Sequence, residues 1–408
     1  MKRVRSQCRR VSVYMGMVLL CAAGASQAHA RHYRFTDLGT LGGSSSSAYG
    51  INNAGRVVGS SRIAGDEAVH AALWSDSALT DLGTLGGTNS RAYAINEAGT
   101  IVGASDVTAD AGTHATVWRG ASPTDLGTLG GTNSYAYGIS NGGRIVGAST
   151  VAGSRELHAT LWSGSTRTDL GGVAGSSGSY LNGISDSGLI VGGSVMTAYA
   201  PFDDRATAWS RGVPTALGGL GGESVATGVN EAGLMVGFSY LSNNINARAL
   251  LWDGSRTLQL DNLAGNSSFA AGINNAGQVV GWSFTVDPQI GQHAVLWNGT
   301  AVTDLNRYLD PATAGAGWYL ADARGINDQG WIVGTARNDL TGEAHAYLLS
   351  ISSAPEPASW ALGLLGLGVL VLVRHRGQPF TQISGSIRAT LRARPAPSAA
   401  STTACTSL

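Results

Sequence analysis

From residue 32 onward, short apolar runs alternate with polar, glycine-rich turns, and the pattern returns on itself. In its first copy, Ala48-Tyr49-Gly50-Ile51-Asn52 reads as a strand, and Asn53-Ala54-Gly55 turns the chain into Arg56-Val57-Val58-Gly59-Ser60. A looser stretch, 62–68, leads to His70-Ala71-Ala72-Leu73-Trp74, and Asp76 to Leu79 turns into Thr80-Asp81-Leu82-Gly83. β-Branched and aromatic residues in short runs bounded by Asn, Asp and Gly predict antiparallel hairpins. Asn-x-x-Gly recurs at 52–55, 96–99, 230–233, 274–277 and 327–330. Asn favours the start of a turn and Gly tolerates positive φ at its exit.

Asp-Leu-Gly-Thr-Leu-Gly-Gly occurs at 37–43, 81–87 and 125–131, a period of 44 residues, and decays in later copies. An aliphatic landmark before Asn or Ser falls at Ile51, Ile95, Ile139, Ile184, Val229, Ile273 and Ile326. Val-Gly ends at Gly59, Gly103, Gly147, Gly192, Gly237, Gly281 and Gly334, and a large aromatic stands at Trp74, Trp118, Trp162, Trp209, Trp252, Trp297 and Tyr347. Seven units therefore fill 32–351. Four strands per unit suit a propeller blade, whereas a β-solenoid coil is usually shorter. A lone fourth strand, 32–39, precedes the first unit, and the last unit ends on its third strand, 345–349. The expected fold is all-β: a seven-bladed β-propeller whose N-terminal strand completes the last blade and removes the open edges.

The ends differ from this body. Residues 1–30 have a basic start, an apolar run from Val13 to Ala23, and Ala28-His29-Ala30, a signal-peptide pattern with cleavage expected after Ala30. An uncut N-terminal anchor and lipidation at Cys21 are the alternatives. At 354–376, Ala354-Pro355-Glu356-Pro357 precedes an apolar run that predicts a transmembrane helix over 358–373, followed by Arg374-His375-Arg376. Residues 377–408 form a Ser/Thr/Ala/Arg/Pro tail of disordered composition.

The formal net charge of zero is a cancellation. The body, 31–353, carries 16 arginines against 25 acidic residues, about −9, and the one lysine, Lys2, lies outside it. Such a surface argues against nucleic acid as a partner. Cys8, Cys21 and Cys405 all lie outside the body, which excludes a disulfide framework or thiolate chemistry there. The 59 glycines lack a Gly-X-Y period, which excludes collagen.

The order Pro355-Glu356-Pro357, apolar run, Arg374 and Arg376 resembles the PEP-CTERM sorting signal of Gram-negative bacteria. That resemblance implies processing by an exosortase-type enzyme near the Pro-Glu-Pro, and delivery to the cell surface or extracellular matrix. The tail 377–408 departs from it, since such signals end soon after the basic cluster; a plain C-terminal anchor is the alternative. The units, with His-Ala-x-Leu-Trp at 70–74, are similar to the HAF-type extracellular repeat of bacterial secreted proteins. Arg205 and Arg248 at the His position and Tyr347 at the Trp position are departures. This family implies export and a repeat fold, but no reaction.

His70, His114, His158, His293 and His345 share one repeat position, and equivalent positions on successive blades are too far apart to ligate one metal, so each is expected to hydrogen-bond a nearby strand or loop. Asp37, Asp81, Asp125, Asp169 and Asp304 recur before Leu and are expected to cap turns. No P-loop, dinucleotide fingerprint, nucleophile elbow or His-Glu-x-x-His appears; no catalytic residue, metal or cofactor is expected. Two insertions break the symmetry. Met196 to Asp204 in the fourth unit carries Tyr199, Phe202, Asp203 and Asp204; Asn306 to Asp322 in the seventh carries Tyr308, Asp310, Trp318, Tyr319 and Asp322. Aromatics beside carboxylates suit sugar binding, so these form the candidate ligand face for a glycan such as exopolysaccharide. The alternative is a propeller-based polysaccharide hydrolase or lyase, which requires carboxylates or His clustered at the wide end of the channel and absent from other blades.

Overall fold

The computed structural model describes residues 32–76, 78–197, 203–242, 244–286 and 291–352. The cleavage residues Ala28 and Ala30, the loop aromatics Tyr199 and Phe202, and the sorting residues Pro355, Glu356, Pro357, Arg374 and Arg376 lie outside these residues, as do the apolar run 358–373 and the tail. Among the described residues no helix is long and apolar enough to cross a membrane.

The fold is all-β and propeller-like. In the first unit Gly42–Ile51, Val57–Ile63, Val69–Ser75 and Ala78–Asp81 pair antiparallel in chain order. Five further four-stranded sheets repeat this order. The last unit supplies Trp318–Ile326, Ile332–Asn338 and Ala344–Ser352, and His32–Asp37 pairs with the third of these in a register running from His32↔Ser352 to Asp37↔Tyr347. One parallel bridge, Ser45↔Ala344, joins this sheet to the first. Each unit's first strand contacts the first strand of the next unit, and Trp318–Ile326 contacts Gly42–Ile51.

The first strand begins at Gly42 rather than at Ala48. Its Gly/Ser half has weak strand propensity, and side-chain hydrogen bonds hold it instead. The Ser46 hydroxyl donates to the Gly39 carbonyl and accepts the Ala346 amide of the adjoining sheet. Ser90 and Ser134 do the same with the Ala71 and Ala115 amides.

The core lies between sheets. Val58, Ala71 and Leu82 of the first unit pack with Ala92, Ile101 and Trp118 of the second. The tryptophan series is buried in these interfaces; the indoles of Trp209, Trp252 and Trp297 donate to the carbonyls of Gly171, Gly218 and Asp261.

The first strand of every unit carries a register shift against the second, between Ala48 and Gly50, Ala92 and Ala94, Ala136 and Gly138, Leu181 and Gly183, Ala226 and Gly228, Ala270 and Gly272, and Ala323 and Gly325. The extra residue is Tyr49, Tyr93, Tyr137, Asn182, Thr227, Ala271 or Arg324. A bulge kinks its strand and re-aims the side chain it carries. It also explains the Val-Gly landmark: a Cβ on Gly59 would lie 2.0 Å from the Ser47 carbonyl oxygen, and the same approach recurs at Gly147 and Gly237.

Candidate functional site

The sequence-predicted His and Asp series meet in one constellation. His70 Nδ1 lies 2.8 Å from Asp81, and His114–Asp125, His158–Asp169, His293–Asp304 and His345–Asp37 repeat the pair. The same aspartates also cap the following turn, as where Asp37 accepts the Gly39 amide at 2.8 Å. In the two units with Arg205 and Arg248 in place of His, the strand register puts Ala216 and Gln259 in place of Asp. The pair is kept or lost as a whole.

The clasp His345–Asp37 joins the first strand to the last. Burial pushes the Asp37 carboxyl up, but the hydrogen bonds from His345 and the Gly39 amide outweigh it and leave it below its ordinary range. The hydrogen bond to Asp37 raises His345 above its ordinary value against burial, with help from the charges of Asp37 and Glu343. A lowered carboxylate stabilises the fold above its ordinary pKa and loses that contribution as pH falls through the folded value. A raised histidine stabilises below its ordinary pKa and loses it as pH rises through the folded value. The clasp is therefore strongest between about pH 4 and pH 6.5. His345→Gln is expected to cost about 1 kcal/mol at pH 5.5 and clearly less at pH 9, read by denaturant unfolding at both pH values; an equal cost at both would show that the pair does not act through charge.

Along the axis, the turn between first and second strands forms a polar circuit. The Asn53 amide donates to the Glu97 carboxylate, and the same bond runs from Glu97 to Asn141, Asp186, Glu231, Asn275, Asp328 and back to Asn53, at 2.6–3.1 Å. At the residue before each of these, the side-chain amides of Asn52, Asn96, Asn230, Asn274 and Asn327 each donate to a carbonyl of the neighbouring unit. The circuit, Asn96, Asn230, Asn274, Asn327 and the aliphatic landmark line a cavity of about 240 Å³. Every carboxylate of the circuit already accepts a backbone amide, so the circuit works as a clamp between units.

Farther along the axis, the bulged residues and their neighbours make an aromatic wall. Tyr49, Tyr93 and Tyr137 follow one another with centroids 5.6 and 5.2 Å apart, and Tyr135 stacks on Tyr137. Burial pushes the Tyr93 phenol up to about 12 and raises Tyr137 as well. Arg324 lies over Tyr49 on one side and Trp282 on the other, at 5.4 and 5.6 Å. It is held by Asp322, whose buried carboxylate takes both Nε and Nη2 of Arg324 and the Thr335 amide. Trp282 stacks on Phe269 at 5.4 Å, and Phe269 meets Phe238, Tyr240 and Phe284.

Beyond Tyr240 stand Glu223, Asp204 and Tyr180. The Tyr180 hydroxyl donates to Asp204 at 2.6 Å. Burial raises Asp204, opposed by the Tyr180 hydrogen bond and reinforced by the Asp203 charge. Burial and the Asp204 charge raise Glu223. Burial, then Asp204, raises the Tyr180 phenol far above its ordinary value.

Of the loop residues singled out in the sequence, Asp204 and Asp322 thus reach this wall. Asp203 takes the Thr197 hydroxyl. Tyr308 packs on Tyr33 at 4.9 Å, Trp318 lies 4.9 Å from His345, and Tyr319 lies 6.2 Å from His293. Asp310 caps the short helix Pro311–Gly315 through the Ala312 and Thr313 amides. The bulged residues, Glu223, Phe238, Phe269 and Trp282 escape a reading of the sequence alone. A signal for the bulge is nonetheless present: one position before the Gly or Ala that precedes the aliphatic landmark varies through Tyr, Tyr, Tyr, Asn, Thr, Ala and Arg, while its neighbours, Leu181 aside, are Ala or Gly.

Residues 353–376 match the PEP-CTERM protein-sorting motif. The motif implies export and sorting by an exosortase-type system. No curated protein is detectably similar to the chain. Among solved structures the chain is similar to the β-propeller domain of the Trilobed protease from Pyrococcus furiosus, described as having an open velcro topology, at 9% identity, with 80% of this chain and 100% of that chain covered and a TM-score of 0.47.

Proposed function

We propose that this chain is a cell-surface or matrix-associated binding protein, built as a closed seven-bladed propeller that holds a glycan in its axial opening. Closure draws support from the amide circuit that returns from Asp328 to Asn53 and from the pairing of His32–Asp37 with Ala344–Ser352. The surface address draws on the sorting motif, which begins at residue 353, directly after the last strand. Anchoring through 358–373 before processing and the likeness of the units to extracellular HAF-type repeats belong to the same reading.

The observation that carries the binding role is the aromatic wall. Rings with partly open faces take up the apolar faces of sugars, while the phenols and carboxylates between them accept and donate hydrogen bonds to hydroxyls. Titration of the full chain on a glycan array, followed by calorimetry, is expected to give a binding polysaccharide. Trp282→Ala and Tyr137→Ala should each weaken it by about tenfold or more, with the native circular-dichroism spectrum retained. Unchanged affinity in both variants would remove the axial opening as the site.

A second reading, a polysaccharide hydrolase or lyase, draws on Tyr180, Asp204 and Glu223. Two carboxylates and a phenol raised chiefly by burial are the groups that acid–base chemistry uses. Release of new chain ends from the bound glycan, lost in Glu223→Gln and Tyr180→Phe, would favour it; binding without release favours the binding protein.

A further inference from the structure

The connection between units comes in two forms, and the tryptophan of the unit that follows registers the difference. After the decayed copies, the carbonyls of Gly171, Gly218 and Asp261 accept the indole N–H groups of Trp209, Trp252 and Trp297. After the complete Asp-Leu-Gly-Thr-Leu-Gly-Gly copies, the carbonyl at the same position, that of Gly39, Gly83 or Gly127, takes the hydroxyl of Ser46, Ser90 or Ser134 instead. The indole N–H groups of Trp74, Trp118 and Trp162 are then buried with no acceptor among the described residues. A buried donor without its bond carries the full cost of its desolvation, and such groups are few in native folds.

Two of these three donors stand at a cleft between units. Trp74, 4% exposed, lines a cavity of about 400 Å³ between the last unit and the first; Trp162, 2% exposed, lines one of about 320 Å³ between the second and the third. The two are the same place in the repeat. Residues 36–38 and 124–126 line them, with Val57 and Ile145, and with Gly55 and Gly143, which take positive φ and present no side chain. Where the indole bond forms, it runs to the residue after Leu170, Leu217 or Leu260. By the same geometry Trp74 and Trp162 direct their N–H groups toward Gly39 and Gly127, next to the Leu38 and Leu126 that line the clefts.

We propose that these clefts are sugar subsites separate from the axial opening, each seating one uncharged pyranose whose oxygen accepts the tryptophan N–H. Indole is a donor only, so the ligand has to bring the acceptor. Asp37 and Asp125 receive the hydroxyls of the sugar: each of their oxygens takes one hydrogen bond within the chain and has capacity for a second. Leu38 with Val57, and Leu126 with Ile145, offer an apolar surface to the ring face. The charge around the two clefts differs, since Asp76 adds a second carboxylate to the first while Arg119 and Arg167 flank the second. No single ionic group suits both, and a neutral one does. None of the lining residues belongs to the aromatic wall, so the two kinds of site are independent.

The test is the indole N–H proton spectrum of the full chain, isotope-labelled at tryptophan and assigned with single Trp→Phe variants, during titration with methyl β-glucoside, methyl β-galactoside and glucuronate. With at least one neutral glycoside the Trp74 and Trp162 protons are expected to move downfield, saturably, as each gains an acceptor, while those of Trp209, Trp252 and Trp297 stay in place. Ala78→Tyr, at an exposed position of the first cleft, should abolish the Trp74 movement alone, and Ser165→Tyr, exposed in the second, that of Trp162 alone. Trp282→Ala should leave both movements intact. No movement with either neutral glycoside, movement in one cleft only, equal movement of the three bonded indoles, or movement that survives the two tyrosine variants overturns the subsites. Tighter binding of glucuronate overturns the neutral ligand class. Each of these results leaves the axial opening to the glycan array and its own variants.

Discussion

Gly147→Ala is expected to destabilise the protein by about 3 kcal/mol or more, the upper part of the range for forcing atoms into a packed interior. The cause is a backbone contact rather than a crowded side chain. A Cβ at Gly147 would lie 1.9 Å from the Tyr135 carbonyl oxygen, and that carbonyl is fixed by the bulge at Tyr137 that turns the phenol to the axis. The strand that carries Gly147 cannot retreat, because Ile145–Val151 is paired on its other edge to Leu157–Ser163. Gly164→Ala is the contrasting variant: Gly164 sits at a positive φ of 59°, but nothing lies within 4 Å of its added carbon, so the cost is expected to stay near about 1 kcal/mol. Denaturant unfolding of the two variants separates close approach from backbone strain. Similar small costs would mean that the bulge does not press on the second strand.

The seven units, the four strands in each and the turns at Asn-x-x-Gly follow from spacing, because hairpins are local and their turn chemistry is written in adjacent residues. The Val-Gly landmark is visible, but its reason is not, since the carbonyl that excludes a side chain belongs to the neighbouring strand. The Gly42–Ser47 half of the first strand has the composition of a connection because it is held by serine hydroxyls bonded to another unit.

The candidate site is legible only in part. His70 and Asp81 each stand out by their recurrence, and their union is recoverable from Arg205 with Ala216 and Arg248 with Gln259, where both partners change together. Asp204 stands out for its place in an insertion, yet its partner Tyr180 lies on another strand, and no local pattern links them. Asp310, Tyr308 and Trp318 have the composition of an open binding loop. Their roles as a helix cap and as packing against Tyr33 and His345 depend on contacts that sequence proximity does not reveal.

The second large effect concerns the proposed closure of the propeller. The register Arg34↔Ser350 places an exposed arginine beside a half-buried serine in the closing sheet, flanked by the core pair Phe35↔Leu349. A covalent link there ties residue 34 to residue 350 and restrains nearly the whole body in the unfolded state. Loop-closure entropy predicts a gain of about 5 kcal/mol for a loop of this size if the native geometry accepts the link. The direct measurement uses Arg34→Cys with Ser350→Cys, in a full chain with Cys8, Cys21 and Cys405 changed to Ser, treated at low protein concentration with a short bis-maleimide, to each end of which one thiolate adds across the maleimide double bond. Near-complete linkage within single molecules is expected, seen by mass spectrometry as one cross-linked pair of peptides from positions 34 and 350, together with the rise in stability. Unlinked monomer, or linkage only between molecules, would contradict a propeller closed by its own N-terminal strand.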